Sequence, residues 1–411
     1  MSIINVSDVC QFVNSKSSFE ELKSECINLD LCIRESNIDG KDIFLIANNN
    51  ENHKRKKNVK KSNEKNETDQ GETDQGETVN VDSDFVKRIR SQANGIIFEK
   101  GTNNVVCMCQ NKIEELDNFS EVMDIVRESY KNMRVEYCED GTLIRLYHYN
   151  NSWNTATTRC INAKTSRWSG KKDFDTMFWE VFDKNMLADF DKDYTYLFVL
   201  LHRENRIVQR HNVNMLVFVS RINNKTCEEE YVSEIPKGAY GIKTTKTMNQ
   251  MDFQKLMNNP TVYDFKFKRG ILIKVYNRST GNINVSKYDF ESYRMIKSIR
   301  GNVPEIRMRF LELLSKPESL QLLEKFYSEH TLMFAFIKAN LLQLVKTVYK
   351  LYVDSHIKHV IQVTDENIYY RTLRQLHAQY KITNKPISFD DVRTKIYSLD
   401  KMVIKKLLGW E

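Results

Sequence analysis

The sequence predicts an α+β chain: a domain of mixed β-sheets with flanking helices over residues 1–300, followed by an all-α C-terminal domain over 301–411. Three observations carry this. Between about residues 83 and 290, short segments rich in β-branched and aromatic residues alternate or run apolar, as half-buried and fully buried strands do. From about residue 303 the apolar spacing changes to three and four, the period of helices. Between 51 and 82 no apolar period survives, so this stretch reads as a disordered inserted loop. A chain of 411 residues that is 41% hydrophobic has enough apolar material for more than one core.

The elements follow in order. Ser17-Ser18 before FEELKSECINL gives a capped helix, with Ser17 or Ser18 at the N-cap and Glu20 or Glu21 at the capping-box position. Asp42 leads into IFLIA, a buried strand. The inserted loop holds Lys54-Arg55-Lys56-Lys57, Lys60-Lys61 and two copies of ETDQG, and reads as a solvated tether, a nuclear address or a phosphate-binding arm. GIIFEK (95–100) and VVCMC (105–109) are strands around a GTNN turn. TLIRLYHY (142–149) alternates apolar and polar, NNSW turns the chain, and NTATTR continues as the partner strand. DYTYLFVLL (193–201) is a central strand, followed by RIVQR and NMLVFVSRI. YDFKFK (263–268) and ILIKVYN (271–277) bracket Arg269-Gly270, and GNINVSKY is a further hairpin strand. FSEVMDIVRESY (119–130) and DFQKLMN (252–258) are helices. Beyond 303, four long segments carry helical spacing, and Ser388 caps FDDVRTKIYSL.

Composition excludes several classes. Gly (13) and Pro (5) are too few for collagen-like or Pro-rich chains. The longest apolar runs, such as Tyr196–Leu201, are far short of the roughly 20 residues of a membrane span, so no helix is expected to cross a bilayer. MSIINVSDVC lacks the basic start and apolar stretch of a signal peptide. The eight cysteines are scattered, and Cys107-Met108-Cys109 has no second pair at zinc spacing. Reduced thiols in an intracellular compartment and no metal site are expected. None of the eight histidines sits in a zincin or nucleophile-elbow context, and no Walker A loop or GxGxxG is present. The net charge of +7 permits a polyanionic partner without demanding one. From residue 301 onward Lys and Arg outnumber Asp and Glu by 17 to 12, so most of the excess sits in the helical part.

One constellation carries chemistry. Glu139-Asp140-Gly141-Thr142 opens the strand LIRLYHY. Covalent nucleotidyltransferases place lysine, any residue, Asp and Gly at such a strand start, and the lysine amine attacks the α-phosphate of ATP or GTP. Here the lysine position is Cys138. In order along the chain, FVKRIRSQANGIIFEK, CEDGTLIRLYHYNNSW, TYLFVLLHRENRIV and KRGILIKV resemble the phage-type RNA ligase 1 family, in the divergent form found in large DNA viruses of eukaryotes. The resemblance covers about residues 18–50 and 83–360. It implies a nucleotidyltransferase (ATP-grasp-like ligase) domain followed by a helical accessory domain.

The departures from that family matter more than the matches. Asn94 stands where the family has Arg, Cys138 where it has the nucleophile, Val199 and Arg269 where it has Glu, and Arg203 where it has Pro. The nearest match to its last motif, two lysines flanking one residue, is Asn284-Val285-Ser286, which has neither. The resemblance therefore implies no catalytic residue and no metal anchoring. What survives is polar and cationic: Asp140, Gly141, Arg145, Asn205, Arg206, Lys266, Lys268, Arg269, Lys274 and Arg300 form the candidate nucleotide- or RNA-binding set. Each also has a plainer reading. Arg145 can be solvated on its strand, Lys266 and Lys268 can be the wet face of an edge strand, and Asn205-Arg206 can be turn chemistry.

The function so implied is a pseudo-enzyme binding RNA, at a 5′ end or cap, or nucleotide, as a non-catalytic module of a viral RNA-processing or translation-related assembly. No cofactor is required, ATP or GTP being the nucleotides such a pocket would hold non-covalently. Expected partners are RNA and other protein subunits, with no membrane, in the host cytoplasm or the virion. Two other readings stand beside it. One is a scaffold subunit contacting partners through the long helices and the 51–82 arm. The other is an active RNA ligase with its lysine relocated to Lys112 or Lys100.

Overall fold

Side-chain capping opens the structure. In the computed structural model, which describes residues 7–49, 83–168, 170, 172–230, 242–259, 268–276 and 283–410, α1 (Asp8–Asn14) precedes α2 (Phe19–Asn28). The Ser18 hydroxyl accepts from the Glu21 amide, and Ser17 donates back to the Glu21 carboxylate, as the sequence predicts. The expected disordered loop at 51–82 lies outside the described residues, as do the YDFKFK segment up to Phe267 and therefore Lys266.

The chain is α+β and divides into two compact units, Met1–Glu291 and Ser292–Glu411. The first holds three sheets. β1 (Leu31–Ile38), β2 (Lys41–Asn48), β3 (Asn94–Glu99) and β4 (Val105–Cys107) form an antiparallel sheet in chain order, with α3 (Ser83–Gln92) leading into β3. β5 (Glu114–Glu115) and α4 (Phe119–Ser129) follow, and then β6 (Met133–Cys138). β7 (Thr142–Tyr149), β8 (Ser152–Ala156), β9 (Tyr194–Leu201), β10 (Met215–Asn223) and β11 (Glu229–Glu230) form the second sheet in the order β11-β10-β9-β7-β8, with β12 (Lys243–Thr244) parallel to β10. α5 (Phe174–Trp179) lies between β8 and β9 in the chain. After α6 (Gln250–Asn258), β13 (Gly270–Tyr276) and β14 (Ile283–Asp289) complete a third sheet, β5-β14-β13-β6. RIVQR, expected as a strand, lies outside every strand because its backbone amides bond to the Asp140 carboxylate instead of a ladder.

The second sheet is buried on both faces. Ile144, Leu146, Phe198 and Phe218 pack with the aromatic cluster Phe174, Phe178, Phe182 and Phe190. On the opposite face Tyr147 packs with Ile43, Leu45 and Ile97 of the first sheet. Arg145 lies in this second layer, fully buried. Its Nη1 donates to the carbonyls of Gly95 (2.5 Å) and Met108 (3.1 Å), and its Nη2 to that of Thr157 (2.6 Å). This corrects the assignment of Arg145 to a phosphate site: the guanidinium satisfies backbone acceptors of the first and second sheets and faces no cleft.

The second unit is helical: α7 (Glu291–Arg300), whose first residue belongs to the first unit, then α8 (Ile306–Glu312), α9 (Pro317–Phe326), α10 (Thr331–Tyr352), α11 (Tyr370–Thr383), α12 (Phe389–Tyr397) and α13 (Lys401–Leu407). Ser388 and Asp391 form the full capping box predicted for α12. Leu344, Val345, Val348 and Tyr352 of α10 pack against Leu373 and Leu376 of α11 and Val392 and Ile396 of α12. Each such side chain contributes roughly 1.5–3 kcal/mol by leaving water. The helical run Ser328–Ile357 around α10 is long and apolar enough, by length and composition, to span a bilayer. The expectation of no such helix, drawn from short apolar runs, is corrected on that point, because polar residues spaced along a helix do not shorten it. Arg300 is also corrected. It is buried at the end of α7, where it donates to the carbonyls of Val303 (2.5 Å) and Pro304 (2.8 Å), closing a helix terminus rather than binding a phosphate.

Arg145→Met keeps the length of the side chain and removes three donors. It is expected to lower unfolding stability by about 3 kcal/mol or more, at roughly 1–3 kcal/mol per orphaned buried acceptor. Urea unfolding would register this as a lower midpoint, and an unchanged midpoint would show that the guanidinium does not hold the two sheets together.

Candidate functional site

The turn Glu139–Gly141 leaves β6 in the third sheet and enters β7 in the second. Its backbone passes against β9, where a Cβ on Gly141 would lie 2.5 Å from the Leu200 carbonyl oxygen and 2.7 Å from Val199 Cγ1. Only glycine fits this approach. Asp140 is fully buried. Its Oδ2 accepts from the amides of Val208 (2.9 Å) and Gln209 (2.7 Å), and its carbonyl accepts from His211 Nε2 (2.8 Å). Asn205 Nδ2 donates to Thr142 Oγ1 (2.8 Å), and Arg206 Nε to the Val208 carbonyl (3.1 Å). Of the predicted set, Asp140, Gly141, Asn205 and Arg206 are thus brought together. Asp140 organises the 205–211 loop around the turn and presents no free carboxylate oxygen edge to solvent.

Cys138 closes β6 opposite Gly270 of β13, and Gly270 faces Asp289 of β14. Directly paired residues share a face. One face of the third sheet therefore carries Arg134, Glu136, Cys138, Lys274, Lys287 and Asp289. The other carries Tyr137, Ile271, Ile273 and Tyr288, which pack with Val122 and Val126 of α4 and Leu256 of α6.

The charged groups of this face pair with one another. Arg269 Nε lies 2.8 Å from Asp289 Oδ1, with the two side chains 14% and 8% exposed. Lys274 Nζ lies 2.8 Å from Glu136 Oε2, and Arg134 Nε 3.0 Å from Glu136 Oε1. Lys287 Nζ lies 2.7 Å from Glu115 Oε1. Burial pushes the Lys274 ammonium below its ordinary value, against the opposing pull of Glu136. Burial also pushes the Cys138 thiol up to about 11, with Arg269 opposing and Asp289 reinforcing. At neutral pH this is a protonated thiol and a poor nucleophile.

Arg269 and Lys274 therefore do not stand as the open phosphate ligands that their sequence positions suggested. Arg269 is held by a carboxylate on the neighbouring strand, and Lys274 is enclosed with Glu136. Lys268 is half-buried with its Nζ 4.4 Å from the centre of the Tyr137 ring, a cation–π contact on the opposite side of β6 from Cys138. Arg145 and Arg300 are spent on carbonyls as described. Sequence reasoning missed Asp289 and Glu136. The β13–β14 register sets Lys287-Tyr288-Asp289 opposite Gly270–Leu272, and Asn284-Val285-Ser286 opposite Ile273–Val275. Strand register was the missing signal.

It also missed a cleft of about 1220 Å³ near the other end of this face, where Val285 pairs with Lys274. Lys87 and Arg90 of α3, Lys112, Gln110, Glu114, Glu115 and Glu229 are among its lining residues. The carboxylates have partners in the structure: Glu115 takes Lys287, Glu114 accepts from Ser286 Oγ (3.0 Å), and Glu229 accepts from Ser220 Oγ (2.5 Å). Among the described residues Lys87 pairs with exposed Asp84, a contact worth little in water. No group of three or more His, Cys, Asp or Glu suited to a metal ion occurs among the described residues.

No family model matches the chain. The chain is 21% identical to the immediate-early protein ICP-46 homolog of Invertebrate iridescent virus 6, over 66% of its own length, and spans 63% of that relative. Among solved structures it is similar to an archaeal ATP-dependent RNA ligase, form 1, at 10% identity and a TM-score of 0.44, covering 98% of this chain and 99% of that one. It is also similar to a putative ATP-dependent DNA ligase from Aquifex aeolicus, at 10% identity and a TM-score of 0.41, covering 89% and 81%.

Arg269→Glu sets two carboxylates against each other in a largely buried position. Losing one partner of such a pair costs roughly 3–5 kcal/mol. The single variant is expected to melt well below wild type, and Arg269→Glu combined with Asp289→Arg to recover most of the loss. A double variant no more stable than the single one would show that the two residues do not form a pair.

Proposed function

We propose that this chain is an RNA ligase-like nucleotidyltransferase relative that has given up covalent chemistry and binds RNA or nucleotide as a pseudo-enzyme. One observation supports the reading: Asp140-Gly141 opens β7 as in the motif that the sequence resembles, and the position corresponding to its lysine holds the protonated Cys138 thiol beside an Arg269–Asp289 pair. A thiol has no amine with which to form a phosphoramidate, and the acidic positions are taken by Val199 and Arg269. The viral relative and the ligase-like order of motifs support an intracellular viral protein acting on nucleic acid.

Phosphate recognition in this reading belongs to the cleft lined by Lys87, Arg90 and Lys112, whose carboxylates are already partnered. Lys112 also keeps the relocated-lysine reading in view, since it lines the cleft. Lys100 is instead tied to Glu35 at 2.9 Å.

Two experiments test this. Incubation with α-labelled ATP or GTP and magnesium, followed by a denaturing gel, is expected to give no adduct on wild type or on Cys138→Lys. A stable adduct on wild type overturns the pseudo-enzyme reading, and its loss in Lys112→Ala would locate the amine. Anisotropy with a 5′-triphosphorylated single-stranded RNA is expected to show binding that weakens steeply between about 50 and about 200 mM salt. Lys87→Glu with Lys112→Glu should weaken it at least about tenfold and flatten the log–log salt slope by about 1.4, two phosphates' worth. No binding by wild type at low salt would favour the scaffold reading.

A further inference from the structure

Two thiols far apart in sequence meet at the edge of the first core. Cys10 of α1 is buried among Val9, Phe12, Val13, Cys109 and Ile222, and Cys227, in the β10–β11 turn, packs against the same cluster. Their sulfurs are 3.9 Å apart across 217 residues of chain. Both backbones are held. Gln92 Oε1 accepts from Ser7 Oγ and the Val9 amide, and Gln92 Nε2 donates to Asp8 Oδ2. On the other side Cys227 takes a left-handed conformation (φ 62°), and its amide donates to the Asn223 carbonyl at 2.9 Å. Asn223 Oδ1 also accepts from the amides of Lys225 and Thr226. A left-handed cysteine is uncommon and marks a turn fixed by its surroundings. A disulfide needs the sulfurs about 2.05 Å apart, so bond formation closes the present 3.9 Å contact between them.

We infer that Cys10 and Cys227 form a reversible intramolecular disulfide in response to hydroperoxide, with Cys227 the attacking thiol and Cys10 the resolving one. The division of roles follows from exposure and acidity. Cys227 is half-buried and Cys10 is buried. The hydrogen bond from Cys10 pulls the Cys227 thiol down to about 7, while the same contact and burial hold the Cys10 thiol protonated. The Cys227 thiolate attacks one oxygen of hydrogen peroxide, and the O–O bond breaks. With one proton taken up, this leaves a sulfenic acid and one water. The Cys10 sulfur then displaces the sulfenic oxygen, and the thiol proton leaves with it as a second water. Two thiols are oxidised and one peroxide is reduced. The bond would tie α1 to the turn that leads directly into β11, whose Glu229 lines the cleft.

The test uses the full reduced chain, hydrogen peroxide, alkylation of remaining thiols under denaturing conditions, and mass spectrometry of the digest. A linked peptide containing Cys10 and Cys227 is expected, with both thiols lost to alkylation and recovered by dithiothreitol. Cys32 and Cys160, the other half-buried cysteines, serve as internal controls and should oxidise later. In Cys10→Ser the Cys227 sulfenic acid should persist and be trapped by dimedone, and in Cys227→Ser Cys10 should stay reduced. Wild type should melt higher after peroxide than after dithiothreitol, and Cys10→Ser should show no such difference. A Cys10–Cys109 link, earlier oxidation of Cys32 or Cys160, or no linked peptide would overturn the inference.

Discussion

The Arg145 guanidinium is the interaction on which the arrangement of the first unit depends. It projects from β7 and donates to Gly95 in β3, to Met108 just after β4, and to Thr157 just after β8. Three backbone acceptors from two sheets thus converge on one fixed cation. A guanidinium presents several N–H groups in a rigid fork that can serve them together. Beside it the Met108 amide donates to Thr195 Oγ1 of β9, so the same segment is fixed from both directions. The start of β7, and with it the Asp140-Gly141 turn, is positioned by this junction rather than by the turn itself.

From that anchor the charged face of the third sheet follows a different logic from an open ionic site. Its carboxylates and cations are matched within the sheet: Glu136 with Lys274 and Arg134, Asp289 with Arg269, Lys287 with Glu115. The Lys274–Glu136 and Arg269–Asp289 pairs are largely buried, and such pairs are weak sources of net stability but strongly oppose the loss of one partner. A metal-organising centre requires carboxylates with spare lone pairs, and a phosphate site requires cations without carboxylate partners. Around Arg269, the described cations and carboxylates of this face are engaged with one another.

Much of the fold was legible in the sequence because its signals are local. Ser18 and Ser388 announce their helices through hydroxyl chemistry with the next turn. β3, β7, β9 and β13 follow their apolar runs, and Gly141 and Gly270 mark close backbone approaches that the residue type alone makes conspicuous. The site was less legible. Alternation along β7 suggests a polar, solvated face for Arg145, but that inference holds only for a sheet with one wet side. Here Ile144 and Leu146 meet one core while Tyr147 meets another, so a polar residue on either face is enclosed and must find internal partners. Lys274 misleads in the same way. Its partner Glu136 is 138 positions away in the chain, and only the β6–β13 register brings them to one face.

The charged groups around Cys138 are coupled. Arg269 is tolerable in a nearly buried position because Asp289 faces it, and Asp289 is tolerable for the same reason. A lysine at position 138 would be a third ionisable group beside that pair, with burial opposing its charge. A glutamate at 269 alone would confront Asp289. Changing either member of the Arg269–Asp289 pair alone therefore leaves an uncompensated charge in a low-dielectric environment, whereas exchanging the two together does not.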